Sequence, residues 1–146
     1  MSRILAIDFG LKRTGLAVTD PEQLIASGLA TVETHSLLAF LSTYLQDHEV
    51  EKIVVGEPKR MNNTASGPVN EIAAMIKKLR AAFGLEIVRM DERFTSKIAA
   101  RSLIESGVKK SERRNKGLLD TVSAILILQS YLEQEDRKRK NERNNI

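Results

Sequence analysis

The sequence predicts an α/β fold in which a mixed sheet carries helices on its faces. Apolar periodicity gives the element order β-β-β-α-β-α-β-α-α across the 146 residues. The opening meander implies antiparallel pairing, and the later β-α crossovers imply parallel neighbours. The N-terminal glycines lie between two strands, whereas a doubly wound dinucleotide fold carries them at a strand-to-helix turn.

Within "ILAIDFGLKRTGLAVTD", Arg3–Ile7 and Leu16–Thr19 read as paired strands, with Gly10 and Gly15 supplying the turn. A third strand is expected over Ala26–Val32. In "SLLAFLSTYLQ", residues 36–46, Leu37, Leu38, Leu41 and Leu45 fall on one helical face. "EKIVVGEP" is a buried strand stopped by Gly56 and Pro58, and "KRMNNTASGPVN" after it is a loop. Glu71–Phe83 repeats apolar residues at three- and four-residue spacing and ends at Gly84, a C-cap. "LEIVRM" is a strand that runs into "DERFTS"; Thr95 or Ser96 then caps a helix over 97–106 that Gly107 ends. The last helix is expected over 115–135, with Leu119, Val122, Leu126, Gln129 and Leu132 on its inner face. Nothing divides the chain, so one domain is expected over 1–136, followed by a charged, fraying tail over 137–146.

Composition excludes several functions. With no cysteine, disulfides and thiolate metal sites are ruled out. His35 and His48 lack ligand spacing and read as surface residues. Every apolar run is interrupted by charge, so no membrane span or secretory signal is expected, and the default location is cytoplasmic. The 23 basic residues exceed the 19 acidic ones by a modest +4. Their placement matters more, since "KKSERRNK", 109–116, holds five basic residues against one acidic. Such clustering suits a polyanionic partner. No Walker A motif, nucleophile elbow or cysteine–histidine pair is present, and 4% aromatic content leaves little for a base-stacking platform.

Carboxylates recur at element ends. Asp8 closes the first strand, Glu57 the central one and Asp91 with Glu92 the last, while Asp120 lies in the apolar "GLLDTVSAILILQ". A buried acid needs a partner, which Lys116 one turn earlier or a shared divalent cation could supply. Asp and Glu oxygens suit Mg2+ or Mn2+, and convergent acids holding such ions hydrolyse phosphodiesters. Lys12, Arg13, Lys59, Arg60, Arg93 and the 109–116 run, with Lys109, Lys110, Arg113, Arg114 and Lys116, would admit the polyanionic backbone. Asp20 ends the neighbouring strand, so antiparallel geometry puts it at the other end of the pair, as a turn residue before Pro21.

Four ordered segments, "IDFGLKRTGLAVTD", "VVGEPKRMNNTASG", "VRMDERFTS" and "KGLLDTVSAILILQ", resemble the YqgF/RuvX family of Holliday-junction-resolvase-like nucleases. That family is regarded as processing the precursor of 16S ribosomal RNA. The resemblance spans nearly the whole chain and implies a ribonuclease H-like fold: a central five-stranded mixed sheet flanked by helices, with acids gathered at one edge. It implies Asp8, Glu92 and Asp120 as catalytic acids and metal ligands. Arg93 and Thr95 would fix the loop or hold a phosphate, and Lys116 would contact the backbone or tune the acids. Asp91, beside Glu92, is the other acid that could turn inward. The chain departs from the family at Gly56-Glu57-Pro58, where an apolar residue is common before the proline, so Glu57 becomes a candidate fourth ligand.

The function expected from these residues is a metal-dependent endonuclease acting on structured RNA, in precursor rRNA or the pre-ribosomal small subunit. Resolution of branched DNA needs the same acids, and a non-catalytic ribosome assembly factor would share the basic frame. The hairpin alone also resembles the phosphate loop of actin-like ATPases. Those clasp nucleotide between two lobes, and this chain has residues for one.

Overall fold

The computed structural model describes residues 2–57, 69–91 and 116–144, with side chains for all of these except 69, 91, 116–120 and 144. Five strands, β1 (Arg3–Asp8), β2 (Arg13–Thr19), β3 (Ala26–Glu33), β4 (Val50–Glu57) and β5 (Glu86–Asp91), form one sheet in the order β3-β2-β1-β4-β5. β1 pairs antiparallel with β2 and β2 with β3, whereas β1–β4 and β4–β5 are parallel. The predicted meander and crossovers are therefore both present. The helices are α1 (Leu37–Asp47), α2 (Val69–Phe83) and α3 (Lys116–Asn144), with a 3-10 turn at Thr34–Ser36 before α1. The helix expected over 97–106 lies outside the described residues. Among the described residues, no helix is long and apolar enough to cross a membrane.

Strand alternation sends side chains to two cores. Leu5, Ile7, Leu16, Ile53, Val55 and Ile87 pack with Leu37 and Leu41 of α1 and Ile72, Met75, Ile76 and Leu79 of α2. Ile4, Ala6, Ala17 and Val54 face Ala124, Ile127, Leu128 and Tyr131 of α3. One cross-strand row on the α3 face reads Gly28–Ala17–Ala6–Val54–Val88. Its small residues let α3 lie close to the sheet. A Cβ at Gly28 would come 2.4 Å from Thr121 Cγ2, so this position excludes a side chain unless α3 moves. From Thr121 at β3, α3 crosses to Tyr131, whose hydroxyl accepts a hydrogen bond from Lys52 Nζ on β4 at 3.0 Å.

Several details differ from the sequence reading. Gly15 belongs to β2 and does not make the turn; four residues, 9–12, connect the strands. In α1 the buried leucines are Leu37 and Leu41, while Leu38 is 37% exposed. In α3, Gln129 faces solvent, and the buried set is Ala124, Leu126, Ile127, Leu128 and Tyr131. The run "AILIL" is apolar at every position, so periodicity could not single out the face that meets the small-residue row. Residues 137–144, expected as a fraying tail, continue α3. They contain no Gly or Pro, and Glu135–Lys138 and Asp136–Lys140 pair at helical spacing. The C-cap at Gly84 is as expected: φ is +65° and its N–H donates to the Arg80 carbonyl at 3.0 Å.

Candidate active site

The site is set by where parallel strands end. β1, β4 and β5 run the same way, so Asp8, Glu57 and Asp91 finish at one edge of the sheet, and β2 begins there at Arg13. Asp8 has the parity of Ile4 and Ala6, which puts it on the α3 face. Its register partner on β2 is Gly15. Ile7 pairs with Val55 on the other side, so the next step along β1 and β4 sets Asp8 beside Gly56. The half-buried Asp8 thus lies between two strand positions that carry no side chain. The three residues form a notch whose only strand-borne functional group is a carboxylate.

Across β2, Gly15 pairs with Thr31 of β3. Thr31 Oγ1 and Thr121 Oγ1 are 2.7 Å apart, which fixes the start of α3 at the level of Asp8. Two strand spacings, about 10 Å, separate the β3 and β1 backbones there. Asp120 immediately precedes Thr121, so its backbone is held at this same edge, and Lys116 begins the helix.

The connection 9–12 is pinned from β3's end. Thr34 Oγ1 donates to the Gly10 carbonyl at 2.6 Å, Thr34 N–H donates to the Lys12 carbonyl at 2.9 Å, and the Thr14 and Thr34 hydroxyls lie 2.9 Å apart. At Gly10 a Cβ would fall 2.3 Å from the Arg13 carbonyl oxygen, so only glycine permits this close approach. Lys12 and Arg13 are therefore exposed on an anchored loop, and Arg13 shares the strand parity of Gly15 and Asp8's face. Phe9 packs against the α1/α2 core. Thr34 escaped the sequence reading because its contact spans 24 residues and no local motif announces it.

Glu57 is arranged differently. It follows the parity of Ile53 and Val55, toward the α1/α2 face and away from Asp8. There it accepts from the Arg89 guanidinium through Nε and Nη2. Val55 pairs with Arg89 and Glu57 with Asp91, so the ion pair bridges β4 and β5 diagonally. Asp20 lies at the opposite edge, where its carboxylate accepts the N–H groups of Ile25 at 2.7 Å, Leu24 at 2.8 Å and Glu22 at 3.1 Å. These hydrogen bonds, that from Ile25 foremost, hold its carboxyl below the ordinary aspartate value. It is a turn residue, as its strand position predicted.

Of the remaining predicted residues, Lys59, Arg60, Glu92, Arg93, Thr95, Lys109, Lys110, Arg113 and Arg114 lie outside the described residues. Among the described residues, no three His, Asp or Glu side chains come together as metal ligands. The described part of the site is Asp8, its glycine neighbours and the pinned basic loop.

This sheet order and its flanking helices are those of resolvase-type nucleases with a ribonuclease H-like fold. RuvC of T. thermophilus, solved in complex with a Holliday junction substrate, superposes with a TM-score of 0.56 at 18% identity, over 92% of this chain and 96% of that one. The fowlpox virus Holliday junction resolvase does so with a TM-score of 0.53 at 14% identity, over 90% and 99%. The chain belongs to the RuvX family, described as Holliday junction resolvase, whose pattern matches residues 2–134. A Bacteroides thetaiotaomicron relative named "Putative pre-16S rRNA nuclease" is 51% identical over 136 residues, covering 92% of this chain and 99% of its own length. A Porphyromonas gingivalis relative of the same name is 52% identical over 138 residues, covering 94% and 100%.

Proposed function

We propose that this protein is a divalent-metal-dependent endonuclease that cleaves RNA, with the precursor of 16S ribosomal RNA as substrate and the cytoplasm as its place of work. The observation that carries the reading is Asp8 between Gly15 and Gly56, at the edge where α3 begins with Asp120. The names of the relatives support the substrate. Asp8, Glu92 and Asp120 are the proposed acids, with Asp91 the alternative to its neighbour Glu92. Glu57 is left out of the set because Arg89 engages it on the other face.

Oxygen donors suit hard cations, and Asp8, Glu92 and Asp120 offer only carboxylate oxygens, so the donor set fits Mg2+ or Mn2+. When bound, such ions supply a reactive water and charge compensation at the phosphate. Asp8 contributes a fixed carboxylate whose position is set by sheet register rather than by a loop. Lys12 and Arg13 hold the incoming backbone, and the Thr34 bonds keep their loop from moving when phosphate arrives. The start of α3 is tied to β3 through Thr121, which keeps Asp120 at the same edge.

The test is cleavage of a precursor small-subunit RNA by the full chain with Mg2+ or Mn2+. Asp8→Asn should lower the rate roughly a hundredfold or more, as loss of one preorganised electrostatic group commonly does, with the fold intact by circular dichroism. Wild-type cleavage by both Asp8→Asn and Asp120→Asn would overturn the assignment. Cleavage of branched DNA in preference to RNA would favour the resolvase reading. Tight RNA binding with no turnover would make the protein an assembly factor.

A further inference from the structure

Besides the 109–116 run, a second segment carries a basic excess as large as the chain's net +4. Between Arg137 and Arg143 there are five basic residues and one acidic one, Glu142. Setting these aside leaves 18 basic and 18 acidic residues of the 23 and 19, so the rest of the chain is formally neutral. All seven residues are exposed and helical. At about 100° per residue, Arg137, Arg139, Lys140 and Arg143 occupy one side of α3, and Lys138 and Glu142 the other. Of the buried residues, Ala124, Ile127, Leu128 and Tyr131 project toward the Lys138–Glu142 side and Leu126 toward the stripe, but the four stripe residues lie further along the helix and are all exposed. Lys140 pairs with Asp136 at 3.2 Å; Arg137, Arg139 and Arg143 make no ion pair among the described residues.

We propose that this stripe on the C-terminal part of α3 is a second RNA-backbone contact, separate from the catalytic edge. The proposal rests on the RNA-cleaving function above and adds to it a site that acts at a distance. From Thr121 at the catalytic edge to Arg139 is 18 residues, about 27 Å of helix at roughly 1.5 Å each. Glu133, Glu135 and Asp136 lie between the two ends, so the helix offers no continuous basic track. An RNA must therefore reach both places through its own folded structure, which a short fragment lacks. Arginine suits the task because its planar fork meets phosphate oxygens in pairs. The partner's chemistry is a phosphate backbone, not a base, since the one aromatic residue of α3, Tyr131, is buried.

The test compares Arg137→Gln/Arg139→Gln/Arg143→Gln with wild type, measuring affinity for RNA with a chelator present so that no cleavage occurs. One probe is a hairpin of about 20 base pairs, roughly two turns; the other has about 6. The triple variant should bind the long hairpin about tenfold or more weakly near 0.1 M salt, and its log–log salt slope should be shallower by about 2 to 3. Affinity for the short hairpin should not change. Lysine at the same three positions should keep the wild-type slope. A charge-matched control, Lys77→Gln/Lys78→Gln/Arg80→Gln on α2, should leave the long-hairpin slope unchanged. Unchanged affinity in the arginine variant, or an equal loss in the α2 control, overturns the proposal. Neither outcome depends on whether wild-type protein cleaves RNA when metal is restored, so failure of the nuclease reading would be seen separately.

Discussion

Thr31 on the edge strand and Thr121 on the last helix face one another with their hydroxyl oxygens 2.7 Å apart, joining residues 90 positions distant in sequence. Below them, Gly28 is the site where Thr121's methyl group meets the sheet. Gly28→Ala would put a Cβ 2.4 Å from Thr121 Cγ2, and a β-branched side chain held by a hydrogen bond has little freedom to turn away. The start of α3 would have to lift, at a cost of about 1–3 kcal/mol. Thr121→Ser removes the methyl group and keeps the hydroxyl. The double variant Gly28→Ala/Thr121→Ser should therefore recover most of the stability lost by Gly28→Ala alone. Denaturant unfolding of the four members of this cycle checks the coupling. Cleavage should fall and recover in parallel, because Asp120 moves with Thr121.

Much of this architecture was legible because it is written in local periodicity. Strand ends stop at Asp8, Glu57 and Asp91, and parallel pairing then carries all three to one edge. What stayed hidden depends on register and on side-chain parity. Gly15 looks like a turn former in "GLKRTG", yet its place opposite Asp8 makes it valuable for having no side chain at all. Glu57 looks equivalent to Asp8 as a strand-ending acid. Alternation sends it to the other face, and its partner Arg89 lies 32 residues away on a strand whose neighbour cannot be known before pairing is. Thr34 and the Gly28–Thr121 contact are likewise tertiary. The continuation of α3 to Asn144 was missed for a different reason: charge density suggested disorder, whereas good helix formers paired at helical spacing extend an existing helix at little cost.

Asp20 makes stability depend on pH at the edge away from the site. Its carboxyl is held below the ordinary aspartate value by N–H donation from Ile25 first, with Leu24 and Glu22 contributing. A lowered folded-state pKa gives stability that is present above the unfolded value, about 3.9, and is lost as pH falls through the lower folded value. Asp20→Asn should therefore melt lower than wild type at pH 7, and the difference should shrink as pH drops below about 4. Thermal melts at several pH values check this. A gap that stays constant across the range would mean that the turn's hydrogen bonds do not distinguish carboxylate from amide.

Glu57 offers the sharpest separation between a structural acid and a catalytic one. It ends a strand at the catalytic edge, but its carboxylate is engaged by Arg89, which is 45% exposed, on the face opposite Asp8. Glu57→Gln leaves the shape and an acceptor oxygen in place while removing the charge. For a partly exposed pair the loss should be about 1 kcal/mol or less. Arg89→Gln should cost a similar amount, and the double variant should be no worse than the sum, since neither charge is then left facing the other's absence. Cleavage by Glu57→Gln should stay within about twofold of wild type at saturating metal, a change worth under 1 kcal/mol in activation free energy. If Glu57→Gln instead lost activity as Asp8→Asn is expected to, with a wild-type melting temperature, the acidic centre would include a side chain from the α1/α2 face. The metal dependence separates the two cases further: a ligand's loss raises the Mg2+ or Mn2+ concentration needed for half-maximal rate, and loss of a cross-strand ion pair leaves it unchanged.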